Sequence, residues 1–157
     1  DLPCAKGAII GFGDVHTKDH VYRAVIEGLC FALYEGMEKI QNSGQMKFTK
    51  AAVSGGASQS NAICQIAADI FNLPMIKGRT HETSGLGASV LTAPGLGIYD
   101  PVFDAVRHMV RPRTVFNPDP ANADIYRQLY STVYTRMYSA LNPLYQSIRD
   151  ITGYPAH

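Results

Sequence analysis

Apolar residues recur at helical spacing in two long stretches of this chain, and short apolar runs lie between them. From Lys18 to Asn42, Val21, Val25, Leu29, Leu33, Met37 and Ile40 fall on one face, which Ala24, Ile26, Ala32 and Gly36 widen. That pattern predicts an amphipathic helix. Asn42-Ser43-Gly44 should end it, with Gly44 suited to a left-handed cap. A second helix is predicted over 61–72, with Ile63, Ile66, Ala67, Ile70 and Phe71 on its face and Pro74 beyond its end. A third, built of small residues, spans Glu82 to Leu91, and Gly95 and Gly97 close that region. Short apolar runs at 6–12, 48–53 and 75–77 read as strands. Strand and helix alternate, which implies crossover connections and a largely parallel sheet.

The character changes after Tyr99. Pro101, Pro112, Pro118 and Pro120, with Arg107, Arg111 and Arg113 among them, predict an extended wrap with one short helix near 102–109. A long helix should follow over 122–152, striped by Leu129, Val133, Met137, Leu141, Leu144 and Ile148. Tyr126, Tyr130, Tyr134 and Tyr138 recur every four residues along it. Packing is the first reading of that row, and a dimer surface the second. Pro143 should kink or interrupt the helix.

Composition narrows the class. Apolar residues make up 46% and charged residues 17% of 157, so the chain can bury a core and is not disordered. A formal net charge of +1 points to neither a nucleic acid nor an anionic membrane surface as partner. No apolar run approaches a membrane span. Cys4, Cys30 and Cys64 form no metal-binding spacing and read as reduced thiols of a cytoplasmic protein. His16 and His20 lie four apart but have no third ligand near them in sequence, so solvated loop histidines are expected and no metal site is assigned. Asp1 suggests a fragment of a longer protein.

The most chemically suggestive stretch is Val53-Ser54-Gly55-Gly56-Ala57-Ser58-Gln59-Ser60-Asn61. It joins a predicted strand to a predicted helix. A glycine pair at such a junction lets a backbone approach a phosphate, with helix-start N–H groups aimed at the anion. A plain strand-to-helix turn explains the same residues equally well. Ser58, Ser60 and Asn61 can cap the helix or touch a nucleotide.

Four segments occur in the order and spacing of the C-terminal domain of the FGGY carbohydrate kinases. They are 11–28, ending Tyr-Arg-Ala-Val-Ile-Glu-Gly; Val53-Ser54-Gly55-Gly56-Ala57-Ser58; Ala68-Asp69-Ile70-Phe71-Asn72-Leu73-Pro74; and Glu82-Thr83-Ser84-Gly85-Leu86-Gly87-Ala88. The chain resembles that domain closely over about 7–99. The resemblance implies an α/β fold of the actin-like ATPase, ribonuclease-H-like type, incomplete at its N-terminal strands and ending in a long helix. Residues 1–99 would form the partial nucleotide-binding domain, and 100–157 its wrap and terminal helix. Gly55 and Gly56 would lie against the phosphates of ATP, with Ser60 and Asn61 near the adenine. The whole enzyme would transfer the γ-phosphate to a sugar or polyol hydroxyl with Mg²⁺. Its catalytic aspartate, Mg²⁺ ligands and sugar site would precede this segment, so the isolated chain should be inactive. Asp14 and Asp69 are read as a loop acid and a helix-surface acid. Glu82-Thr83-Ser84 is read as a hydroxyl-capped helix start, and Arg23–Glu27 as a half-buried pair. A homo-oligomer is expected. The alternative is a stand-alone dimerising interaction module that binds no nucleotide.

Overall fold

The computed structural model describes residues 5–44 and 46–154. Helix α1 (Lys18–Gly44) leads to strand β1 (Ala51–Val53), a 3-10 turn at Gly56–Gln59, and helix α2 (Asn61–Phe71). Strand β2 (Met75–Gly78), helix α3 (Thr83–Thr92) and helix α4 (Val102–Met109) follow. Strand β3 (Pro112–Phe116) precedes helix α5 (Pro120–Leu129), which passes through a π turn at Tyr130–Tyr134 into α6 (Thr135–Thr152). Among the described residues, no helix is long and apolar enough to cross a membrane.

The sheet is mixed rather than largely parallel. Its order is β1-β2-β3, with β1 and β2 parallel and β3 antiparallel to β2. Strand β3 comes from the proline-rich wrap, where Pro112 and the charge of Arg113 hide a strand signal of two apolar residues, Val115 and Phe116. Proline is tolerated there because it opens an edge strand. Residues 6–12, expected as a strand, lie outside the sheet. Ile9, Ile10 and Phe12 in that segment are about half exposed, and among the described residues no strand lies beside them. The run at 48–53 forms a strand only from Ala51, and the Phe48 N–H donates to the Gln41 side chain instead, at 3.0 Å.

Helices α1, α2 and α5 cover one face of the sheet. Phe31, Ala67, Ala68, Ile70, Met75, Tyr126 and Tyr130 make the core there, with Ala51, Val53 and Phe116 packed against it. The tyrosine row is internal packing: the Phe31 ring meets Tyr126, Tyr130 and Tyr134 at centroid distances of 6.0, 5.9 and 5.2 Å. Such pairs contribute about 1 kcal/mol each beyond their buried area. A four-residue repeat overshoots a 3.6-residue turn by about 40° per step, and the widened turn at Tyr130–Tyr134 takes up that drift. The irregularity falls there, and α6 continues through Pro143. The aliphatic stripe predicted as the helix's buried face is instead partly exposed at Leu129, Val133, Leu144 and Ile148.

Helix ends differ from expectation in two places. Gly44 closes α1 without a left-handed φ, whereas Asn72, Gly97 and Gly153 take that conformation. The cap position of α3 is Glu82, whose side chain makes no capping bond; the Thr80 hydroxyl accepts the Glu82 N–H at 3.1 Å. Helices α3 and α4 share a smaller core of Val90, Ala93 and Ala105.

Candidate functional site

The parallel strands β1 and β2 end on the same side of the sheet, and both run into glycine there. At the end of β1, Gly55 takes φ 76° and ψ −166°, a region essentially closed to side-chain-bearing residues. Its N–H donates to the His81 carbonyl at 3.2 Å, which ties this turn to the loop after β2. Gly56 opens the 3-10 turn with its N–H unengaged among the described residues. A Cβ built on either glycine meets no atom within 4 Å. Backbone conformation therefore demands glycine at 55, while nothing among the described residues demands it at 56.

The serines divide into two roles. Ser58 is buried, and its hydroxyl donates to the Gly55 carbonyl at 2.7 Å, so it stiffens the turn from beneath. Ser60 caps α2, its hydroxyl oxygen accepting the Ile63 N–H at 3.4 Å. The exposed Asn61 accepts a hydrogen bond from the Lys77 ammonium through Oδ1 at 3.0 Å, which leaves its amide N–H groups to face outward. Lys77 brings a positive charge to this corner. Strand alternation puts it on the same face as Met75, beside the start of α2.

On the opposite face of the sheet lies a cleft of about 430 Å³. Ala52, Val53, Ile76, Leu86 and Met109 form its apolar lining, and Ser54, Thr80, Thr83, Arg79 and Arg111 supply its polar groups. Crevices at the carboxyl ends of parallel strands are the usual ligand sites of α/β sheets. The turn at Gly55–Gly56 thus stands between the start of α2, with Ser60, Asn61 and Lys77, and the cleft.

Comparison with known proteins decides the family. The profile of the FGGY family of carbohydrate kinases, C-terminal domain, matches residues 2–95. The chain is 33% identical over 148 residues to a xylulose kinase of Staphylococcus epidermidis, covering 94% of this chain and 29% of that protein. It is also 33% identical over 127 residues to a glycerol kinase of Brevibacillus brevis, covering 81% of this chain and 25% of that one. The chain belongs to the FGGY family of carbohydrate kinases. Among solved structures, it is similar to a xylulose kinase from Rhodospirillum rubrum, with a TM-score of 0.76 at 29% identity over 90% of this chain and 28% of that one. A ligand-bound xylulose kinase from Lactobacillus acidophilus gives a TM-score of 0.75 at 28% identity over 92% and 29%. The chain therefore spans less than a third of the length of these relatives.

In this FGGY-family chain, other residues singled out by sequence take structural positions. Arg23 and Glu27 pair at 2.8 Å, and the Tyr126 hydroxyl joins them, accepting from Arg23 at 3.0 Å and donating to Glu27 at 2.6 Å. The bond to Glu27 holds the Arg23 guanidinium even more firmly charged than usual. Burial, and then the bond to Glu27, pushes the Tyr126 hydroxyl up to about 12. Cys30 and Cys64 are buried, and burial raises both thiols. They are poor nucleophiles. Cys4 lies outside the described residues. His16 and His20 meet edge to face at 5.3 Å, each bonded to its own loop backbone.

Asp69 is not the surface acid that its helical position suggested. It is 3% exposed. Its carboxylate accepts from Gln65 at 2.8 Å, from the Asp119 N–H at 2.8 Å and from the Asn122 side chain at 3.1 Å. It fastens the start of α5 to α2, where a negative charge also suits the helix N-terminus. Sequence reading does not single out Lys77 or Arg79, and it weighs Arg111, with the other arginines of the wrap, as an anion contact but prefers ordinary solvated charge. Strand alternation carried a signal for Lys77, but the meeting of Arg79 with Arg111 depends on β3 joining the sheet.

Proposed function

We propose that this chain is the nucleotide-binding C-terminal part of a sugar or polyol kinase with an actin-like ATPase fold. The observation that carries the reading is the turn at Gly55–Gly56. It sits at the carboxyl end of β1, in a conformation open to glycine, with space where the Gly56 Cβ would stand. The Gly55 N–H is already engaged with His81. Gly56 is therefore the donor to an ATP phosphate, and Gly55 shapes the turn. Ser60 and the amide of Asn61 lie near the adenine. ATP supplies the transferable γ-phosphoryl group. This chain's part is to orient that nucleotide against an acceptor hydroxyl held elsewhere in the enzyme.

Mg²⁺ fits this segment poorly. Among the described residues, no group of three His, Cys, Asp or Glu side chains could hold a metal ion. No carboxylate lines the cleft. The Mg²⁺ ligands, the catalytic base and the sugar site then belong to the remainder of a cytoplasmic, homo-oligomeric enzyme. Three features support an incomplete sheet. Among the described residues, β1 is an edge strand, 6–12 is a strand-like segment without a partner, and α1 exposes Val25, Leu29, Leu33 and Ile40 in one stripe. Strands from the remainder of the protein cover that stripe and pair with β1. The interaction-module reading loses ground because Tyr126 and Tyr130 are spent inside the chain.

Calorimetric titration with ATP, ADP and NAD tests the reading. ATP and ADP should bind, NAD should not, and Gly56→Val should abolish nucleotide binding. No ATP turnover is expected from the chain alone with any sugar. Absence of binding, together with a concentration-dependent shift in sedimentation, would overturn the proposal in favour of the interaction module.

A further inference from the structure

The cleft on the α3 side of the sheet has a feature that nucleotide contact at Gly56 does not require. Among the described residues, its lining contains two guanidinium-bearing residues and no acid. Arg79 and Arg111 come from different segments, the loop after β2 and the residue just before β3. The backbone brings them together: the Arg79 N–H donates to the Arg111 carbonyl at 2.9 Å. Strand register slips between Lys77 and Gly78. A Cβ at Gly78 would stand 3.4 Å from the Thr80 carbonyl and 3.9 Å from that of Arg111. These are ordinary van der Waals distances, so the loop and the strand end pack closely here without requiring glycine.

Both cations have bonding capacity to spare. Arg111 donates Nε–H to the His108 carbonyl at 3.0 Å, which leaves its two terminal amino groups. Among the described residues, the Arg79 side chain has no hydrogen-bond or ion-pair partner. Both residues are exposed at the cleft, where an anion would be attracted by two cationic side chains. Arginine's fork of donors also matches phosphate oxygens. Ser54, Thr80 and Thr83 add hydroxyls to the same lining.

We propose that this cleft is a phosphate subsite, in which Arg79 and Arg111 grip a phosphate group beside the Gly55–Gly56 turn. Two sources share that chemistry: the phosphates of the nucleotide and a phosphorylated sugar. Only assignment to the nucleotide rests on the function proposed above. The anion site itself stands on the cleft.

The test measures binding of inorganic pyrophosphate, ATP, adenosine and glycerol 3-phosphate to the 157-residue chain and to Arg79→Gln, Arg111→Gln and Arg136→Gln variants. Arg136 is an exposed cation on α6, outside the cleft, and serves as the control. Thermal unfolding of each variant separates lost binding from lost fold. Arg79→Gln should weaken pyrophosphate about ten-fold or more, as expected for a charge-assisted hydrogen bond, and Arg136→Gln should not. An equal loss for ATP with adenosine unaffected assigns the site to the nucleotide. A loss for pyrophosphate and glycerol 3-phosphate with ATP unaffected assigns it to the phosphorylated sugar. Failure of all three phosphate compounds to bind the unaltered chain overturns the inference, as does undiminished binding to a folded Arg79→Gln. Binding of ATP, pyrophosphate and glycerol 3-phosphate that all ignore both arginines would leave the proposed function intact and sink the subsite alone.

Discussion

Replacing Asp69 by alanine should destabilise this chain by about 3 kcal/mol. The carboxylate is buried and accepts from three donors on two elements. One of them, the Gln65 amide, also donates to the Asn117 carbonyl at 2.9 Å and loses little when Asp69 is removed. The Asp119 N–H and the Asn122 amide lose their acceptor outright. Bonds to a charged group contribute about 1.5 kcal/mol each at the lower end of their range, which gives the total of roughly 3. Asp69→Asn keeps an oxygen for one donor but sets an N–H against the other, so about half of the loss is expected. For a chain of this size, 3 kcal/mol corresponds to a fall in Tm of about 6–12 °C. Urea unfolding followed by helical circular dichroism measures it, with the m-value unchanged if only the native state is affected. A loss below about 0.5 kcal/mol for Asp69→Ala would refute the argument and return Asp69 to the status of an ordinary helix acid.

Two further predictions follow from local geometry. Gly55→Ala should cost about 1–3 kcal/mol through its backbone conformation, while Gly56→Ala should change stability by no more than about 0.5 kcal/mol and yet weaken ATP binding. Equal stability losses in the two variants, by thermal unfolding, would contradict the distinction drawn between them. The Tyr126 hydroxyl is raised in the folded state, so its contribution is complete below the unfolded tyrosine value, about 10, and is lost as pH rises towards 12. The stability gap between the unaltered chain and Tyr126→Phe should therefore narrow across that window. A constant gap in Tm from pH 9 to 11.5 would disprove the assignment.

Periodic segments were legible because their signals are local. Helix α1 begins at Lys18 as its apolar spacing requires, α4 spans the predicted 102–109, and α2 ends where Asn72 and Pro74 stop it. The glycine turn and its place between strand and helix could also be read from its neighbours, and the four-segment pattern identified the family.

Chain order alone could not say which groups meet. A strand of five residues with a proline and two polar positions carries too weak a pattern to announce itself, and β3 exists because β2 offers it an edge. Asp69 looks exposed on its helix because burial depends on α5, which begins some fifty residues later. The tyrosines and the aliphatic stripe of the last helix compete for one interior, and the hydroxyl partners Glu27 and Glu38 on α1 help to turn the tyrosines inward. Arg79 and Arg111 share a cleft only after the sheet has formed. The sequence by itself determined the helices, the glycine turn and the family, because spacing and backbone freedom are properties of neighbours along the chain. Tertiary structure alone decided the mixed sheet, the buried carboxylate and the paired arginines, because each depends on contacts between residues far apart in the chain.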